Sequence, residues 1–299
     1  MSDYFTILTC RNSQNGIRSA IDSIIKQTVV PEYIIVINDG SGDGTAEILQ
    51  EIQSMVSNLY VITHPDWGYD IKRVVMNWNE ALKFSKEKDL KRTKYHLIAT
   101  DDTEYKSDYV EKLINCMNSD EKVAIASGTY ACYVPVMPHG AGRLVRNSFL
   151  EGSMWRGYYP EKMGYESAIL YEAERCGYRH IVLTDARFKH TKPLGQSHKF
   201  YEFGASMRTL GYHPLFAMGR ILKYLFTGEV TGRIGALYML YYYLTYMPKA
   251  DGYDCLYDER VRLYIKNYQL RRLKNVIASP YQKILGSALS RKSVSRRIT

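Results

Sequence analysis

Residues 33–45, Tyr33-Ile34-Ile35-Val36-Ile37-Asn38-Asp39-Gly40-Ser41-Gly42-Asp43-Gly44-Thr45, decide the fold. An unbroken β-branched run fits a strand buried on both faces, since a strand with one wet face would alternate. The run stops at Asn38-Asp39-Gly40, and the three glycines and two aspartates that follow suit a tight turn. Thr45 then opens a helical pattern with Ile48, Leu49 and Ile52 on one face, capped by Thr45 itself or by Asp43.

The same alternation extends to both sides. Phe5–Thr9 reads as a strand, and Ile17–Gln27 as a helix with Ile17, Ala20, Ile21, Ile24 and Ile25 on its buried stripe. Leu59–Ile62 is a third strand, Val74–Ser85 a helix, and Tyr95–Ala99 a fourth strand that runs into Thr100-Asp101-Asp102. Strands alternating with helices at this spacing predict an α/β fold with a mainly parallel sheet covered on both faces. Ligands of such sheets bind beyond the carboxyl ends of the strands. Polar residues gather there: Thr9-Cys10-Arg11-Asn12, Asn38-Asp39-Gly40-Ser41 and Asp101-Asp102.

Further along, Val123–Gly128, Tyr130–Val136, Ile181–Leu183 and Ala186–His190 read as strands, with a loop at His139-Gly140-Ala141-Gly142. Glu166–Cys176 reads as a helix capped by Gly177. Beyond Pro193 the pattern is helical, over Phe200–Leu210, Pro214–Phe226, Ile234–Tyr246 and Glu259–Val276, and the tail from Ser287 reads as loose. Residues 1–195 and 196–299 are therefore expected to form separate regions.

Charge divides the chain at nearly the same place. Up to His190 there are 22 Lys+Arg against 25 Asp+Glu, whereas from Thr191 onward there are 18 against 6. A basic final third is either a solvated basic surface or a site for phosphate, on an anionic membrane surface or a lipid-phosphate acceptor, with nucleic acid not expected. There, Phe216, Ile221, Leu222, Leu225 and Phe226 interleave with Arg220 and Lys223, and tyrosines crowd Tyr238–Tyr246. Such helices either pack on the first region or lie on a membrane with their basic residues at the headgroups. Five scattered cysteines without a Cys-x-x-Cys pair argue against a disulfide framework or zinc site. The first residues lack a signal-peptide pattern, and the longest apolar run, Ile234–Met247, falls short of the ~20 residues that span a bilayer. The expected location is cytoplasmic, in part peripheral on the cytoplasmic face of the membrane.

Two segments carry chemistry when read by residue type. A carboxylate at the end of the second strand, Asp39, can accept a hydrogen bond from a base N–H. The neighbouring carboxylates Asp101 and Asp102 repel each other and lose solvation at a strand end, so they call for a cation. Oxygen ligands select a hard ion, Mn²⁺ or Mg²⁺, of the kind that also binds substrate phosphates. Each stretch alone also fits an ordinary strand–turn–helix connection or a solvated acidic turn.

In order and spacing these pieces resemble family 2 glycosyltransferases of the GT-A fold. The resemblance rests on Thr9-Cys10-Arg11-Asn12, Gln27-Thr28, Ile37–Thr45, Asn77-Trp78-Asn79-Glu80-Ala81-Leu82 and Thr100-Asp101-Asp102, and covers residues 4 to 195. It implies an inverting, metal-dependent hexosyl transfer from a nucleotide sugar to the hydroxyl of a glycan or lipid-linked glycan. By the same resemblance Asp39 contacts the base, Thr9 and Arg11 line the nucleotide pocket, Asp101 touches the ribose, and Asp102 is the principal metal ligand. His190 stands near the family's metal- or diphosphate-contacting histidine, with Lys192 and the loop 139–143 as further diphosphate or acceptor contacts. Counting back from Gly177-Tyr178, Glu166 occupies the place of the general base, which in the family is an aspartate. Ala99 and Asn38 also stand where aspartates are common in the family. Trp67, Trp78 and Trp155 are candidates for stacking on a sugar, with core packing the expected role of at least two.

The nearest other readings are a nucleotidyltransferase and a non-catalytic nucleotide-sugar-binding module. A nucleotidyltransferase would carry a glycine-rich basic loop after the first strand, and Thr9-Cys10-Arg11-Asn12-Ser13 is not one. Gln269-Leu270-Arg271-Arg272-Leu273 lacks the tryptophan of the Gln-x-x-Arg-Trp motif of processive synthases.

Overall fold

The apolar run of the opening stretch forms β2 (Ile34–Asn38), buried along its whole length. It lies parallel between β1 (Tyr4–Cys10) and β3 (Leu59–Thr63) in a computed structural model that describes residues 3–130, 137–192 and 199–274. Helices α1 (Ile17–Ile25), α2 (Thr45–Met55) and α3 (Arg73–Glu87) make the crossovers. After α3 the chain returns to the other side of β1 as β4 (Tyr95–Thr100), again parallel. The sheet therefore reverses its direction of growth at β1 and β4, and their carboxyl ends open a crevice there.

The remaining strands extend the sheet beyond β4. They are β5 (Thr103–Tyr105), β6 (Val123–Thr129), β7 (Arg143–Arg146) and β8 (Arg179–His190), and the complete order is β3-β2-β1-β4-β7-β6-β8-β5. Only β7 and the short β5 run against their neighbours among the described strands. The segments Ile181–Leu183 and Ala186–His190, which read as two strands, are one. The register jumps from Ser127↔Val182 to Thr129↔Arg187, so the polar Thr184-Asp185 interruption is absorbed as an irregularity. Of the strand expected over 130–136, residues 131–136 lie outside the described residues.

Three elements lie outside the sequence expectations besides β5: β7, α4 (Tyr109–Ser119) and α5 (Asn147–Gly152). β7 begins and ends with arginine, which argues for exposure, yet Arg143 and Arg146 are both buried. Carbonyls take most of their donors, and of the two side chains only Arg143 leaves a buried donor, Nε, without a partner. Arg143 donates to Pro138 O at 3.0 Å and Glu166 O at 3.2 Å, and Arg146 donates to Met117 O at 2.6 Å with its guanidinium over the Tyr95 ring. α6 (Tyr165–Arg175) ends as expected, with Gly177 at φ +82° and Tyr178 N donating to Ala173 O.

The chain divides into two units, Met1–Leu194 and Gly195–Thr299. The second is helical where described, with α7 (Tyr201–Thr209), α8 (Pro214–Thr227), α9 (Gly232–Thr245) and α10 (259–274). Among the described residues no helix is long and apolar enough to cross a membrane.

In the first unit one face of the sheet packs Leu8, Val36 and Leu97 against α1, α2 and α4. The other face, toward α3, buries a polar group, His96. Asn147 uses its Nδ2 on Thr93 O, so its Oδ1 faces His96 Nδ1 at 2.6 Å and that nitrogen must donate. Nε2 then accepts from the Tyr159 hydroxyl at 2.7 Å. Burial holds His96 neutral, its pKa lowered from 6.5 to about 4. The unfolded chain takes the proton first, so stability should fall as pH drops below 6.5 and level off below about 4. The expected loss is on the order of 3 kcal/mol. His96→Gln, which keeps one donor and one acceptor, should make urea-unfolding midpoints fall less steeply over this range. His139 and His180, lowered to about 3 and about 4 chiefly by burial, keep most of the slope, so the variant should reduce it without removing it.

Candidate active site

The turn after β2 is built by its own polar groups. Asn38 Oδ1 accepts from Ser41 N and Oγ at 3.2 and 2.6 Å. Gly44 is the N-cap of α2 and offers no side chain, so Asp43 Oδ1 takes the Thr45 amide at 3.1 Å. The turn is laced to the loop after β1: Asn12 N donates to Ser41 Oγ, Gly42 N to Asn12 Oδ1 and Ser13 N to Thr45 Oγ1. Gly40, at φ +64°, lies where a Cβ would stand 2.5 Å from Pro65 O, so only glycine lets the segment after β3 close on this turn.

That segment and α3 complete one pole of the crevice. Asp39, at the end of β2, accepts from Arg73 Nε at 2.8 and 3.1 Å, and both side chains are about 12% exposed. Arg11 donates to the carbonyls of Asp39 and Gly40 and to Asp66 Oδ1 at 2.6 Å. Arg73 also reaches Gly68 O. The two arginines thus hold the ends of β1, β2 and β3 together, and their charge faces Asp39 and Asp66. Thr9 lies half-buried between Ile37 of β2 and Thr100 of β4. Arg73 and Asp66 are absent from the sequence reading, because no local pattern links a residue of α3 to the end of β2.

The other pole lies at the end of β4. Asp101 and Asp102 line a cleft of about 270 Å³ with Asn12, Asn15, Thr191 and Lys192. Burial, reinforced by Asp102, raises the pKa of Asp101 from 3.8 to about 6, and Lys192 opposes the shift from 3.5 Å. Asp102 Oδ1 accepts from Thr100 Oγ1 at 2.8 Å and stands 3.4 Å from His190 Nδ1. The β5–β8 pairing, Thr103↔His190, sets this approach, and Thr191 N closes on Asp102 O at 2.9 Å. Burial lowers the pKa of His190 against the pull of Asp102, which favours the neutral ring that can act as a ligand.

Glu166 sits exposed in the first turn of α6, where the helix dipole favours a carboxylate. Its carboxylate lies against Gly140, whose added Cβ would fall 2.3 Å from Oε1. The preceding residue, His139, packs edge-on to His190 with ring centroids 5.6 Å apart. The loop 139–142 therefore connects Glu166 to the Asp102–His190 pair. Of the tryptophans, Trp78 is core and edge-on to Tyr159 and Tyr165, and Trp155 is half-buried. Trp67 is 61% exposed and stacks on His64, beside Asp66 and Gly68.

Among the described residues no group of three or more His, Cys, Asp or Glu side chains is arranged to hold a metal ion. Asp102 and His190 nonetheless suit one. Two donors at about 2.1 Å and right angles on an octahedral ion stand about 3 Å apart, close to the spacing seen. Mg²⁺-type sites bound by one or two side chains keep positions for phosphate oxygens and water.

The model of the family described as Glycosyl transferase family 2 matches residues 6–183. A search of curated proteins found no match. Among solved structures, the chain is similar to S. aureus TarS 1–349, at 17% identity over 82% of this chain and 71% of that one, with a TM-score of 0.50. The same TarS fragment solved with UDP aligns at 16% identity over 76% and 75%, with a TM-score of 0.51. The mannosyltransferase PcManGT from Pyrobaculum calidifontis, solved with GDP-Man and Mn²⁺, aligns at 14% identity over 96% and 79%, with a TM-score of 0.55. At these identities the structures speak to the fold, a GT-A arrangement of mixed, mostly parallel sheet with C-terminal helices. The family model spans more than half of the chain, and the protein belongs to glycosyltransferase family 2, whose members transfer a sugar from a nucleotide sugar.

Proposed function

We propose that this protein is an inverting, metal-dependent glycosyltransferase acting on a hydroxyl of a glycan or lipid-linked glycan. The observation that carries the reading is the Asp102–His190 pair next to the Asp101–Lys192 pair, linked through the 139–142 loop to Glu166.

In this reading the nucleotide spans both poles of the crevice. Asp39, oriented by Arg73, accepts from the base, Thr9 and Arg11 line its pocket, and Asp101 takes a ribose hydroxyl. Asp102 and His190 hold the Mn²⁺ or Mg²⁺, which when bound neutralises charge on the diphosphate leaving group. Lys192 adds a cation on the same side. Glu166 takes the proton of the acceptor hydroxyl, whose oxygen bonds to the anomeric carbon as the bond to the β-phosphate oxygen breaks. A single displacement of this kind inverts the anomeric centre. The C-terminal unit, with its excess of basic residues, meets an anionic membrane surface on the cytoplasmic face.

Three measurements test the reading. A panel of nucleotide sugars with Mn²⁺ should include one that raises the unfolding temperature, and turnover with it should release nucleoside diphosphate; release of pyrophosphate would instead indicate a nucleotidyltransferase. Asp102→Ala should abolish transfer and weaken Mn²⁺ binding measured by calorimetry, and full metal-dependent turnover in this variant would refute the ligand assignment. In Gly140→Ala the nearest atoms to the new Cβ are those of the flexible Glu166 carboxylate, so the variant should leave unfolding temperature and donor affinity unchanged. Displacing the base should lower kcat by about 10²-fold, and an unchanged kcat would remove Glu166 from the mechanism.

A further inference from the structure

In the second unit, α8 and α9 pack together and are joined by the short connection 228–231. Their buried sides are conventional: Ala217, Ile221 and Tyr224 on α8, and Ala236, Met239 and Tyr243 on α9. The outward side of such a pair is ordinarily polar. Here it carries Leu222, Phe226, Val230, Ile234 and Leu237, which follow one another at steps of three or four residues through the turn. Phe226 and Ile234, on either side of the turn, are 74% and 72% exposed, and Val230 stands between them at its tip. Exposed apolar side chains this close in sequence on a packed helix pair mark a contact surface rather than scattered surface residues.

We propose that this tip inserts into the interfacial layer of an anionic membrane. The proposal rests on the reading that the C-terminal unit meets a membrane, and it adds which residues enter. Charge selects this occupant. Over 214–247 the basic residues are Arg220, Lys223 and Arg233, the one acidic residue is Glu229, and Lys223 pairs with Glu229 at 2.9 Å. Arg233 lies next to Ile234, as expected of a cation at the headgroups beside an inserted side chain. Tyr241, exposed on α9, suits an interface with its apolar ring and polar tip. Each helix has 14 residues, against the ~20 that span a bilayer, which suits a hairpin lying at the surface. A second copy is a poorer occupant, because it would bring two strongly basic units together.

Co-sedimentation of the full chain with vesicles of mixed phosphatidylcholine and phosphatidylglycerol tests this, with phosphatidylcholine alone as the control. The chain should bind the mixed vesicles, more weakly at high salt. Phe226→Ser with Ile234→Ser should lose at least about tenfold in partitioning without a change in unfolding temperature, since both side chains are already exposed. Arg233→Glu should weaken binding and reduce its salt dependence. Undiminished binding by the double variant would overturn the inserted tip while leaving a membrane role in place. Failure of the unmodified chain to bind would overturn both. Dimerisation in sedimentation velocity that the double variant abolishes would assign the face to a second copy and refute the proposal.

Discussion

Two carboxylates side by side at the end of a buried strand set the terms for the first unit. Burial of Asp101, with Asp102 beside it, favours protonation of Asp101 near pH 6, so the pair needs positive partners or a cation. The fold brings a neutral ring and one cation to the pair from β8 and the residues just after it. β8 pairs with β5 so that His190 meets Thr103, and the chain runs on to Lys192 opposite Asp101. The hydroxyls of Thr100 and Thr103 bond to each other, and Thr100 donates to Asp102. Without β8 in this register the acidic pair would face solvent with its repulsion uncompensated.

The second pole solves a different problem with the same economy of charge. Arg11 and Arg73 are mostly withdrawn from solvent and reach Asp39, Asp66 and three backbone carbonyls. Arginine suits this place because its planar fork can bind several acceptors at once and stays charged when buried. The loops after β1, β2 and β3 are thereby held by specific bonds rather than by apolar packing, which is scarce at a sheet end. At the β4 pole, the cleft beside Lys192 is lined by Asn12, Asn15, Asp101, Asp102 and Thr191, with Gly16 and Ala20 as its small apolar members. A diphosphate with its counter-ion is the kind of group such a lining accommodates.

The second unit shows how little amphipathic pattern a helix needs when it has two apolar surfaces to use. α9 buries Gly235, Ala236, Met239 and Tyr243, yet Ile234, Leu237, Tyr241 and Leu244 remain outside. An ordinary surface helix would expose polar residues there and so declare its orientation. α9 does not, and what covers its outer side is a matter of environment.

The sequence by itself determined the strands β1 to β4, their parallel sense and the gathering of Thr9, Arg11, Asp39, Asp101 and Asp102 at one end of them. These follow from β-branched runs, helical stripes and turn residues, which are local and repeat with fixed periods. It also marked the last third as helical and basic. Only the tertiary structure decided that Arg73 grips Asp39, that an Arg-Leu-Val-Arg strand is buried, that Gly140 cradles Glu166, and that His139 stands next to His190. These contacts join residues tens of positions apart, and their partners are carbonyls, rings or a missing Cβ, which leave no periodic trace. The exposed side of α9 was hidden for the same reason: a pattern apolar all round cannot say which half faces out.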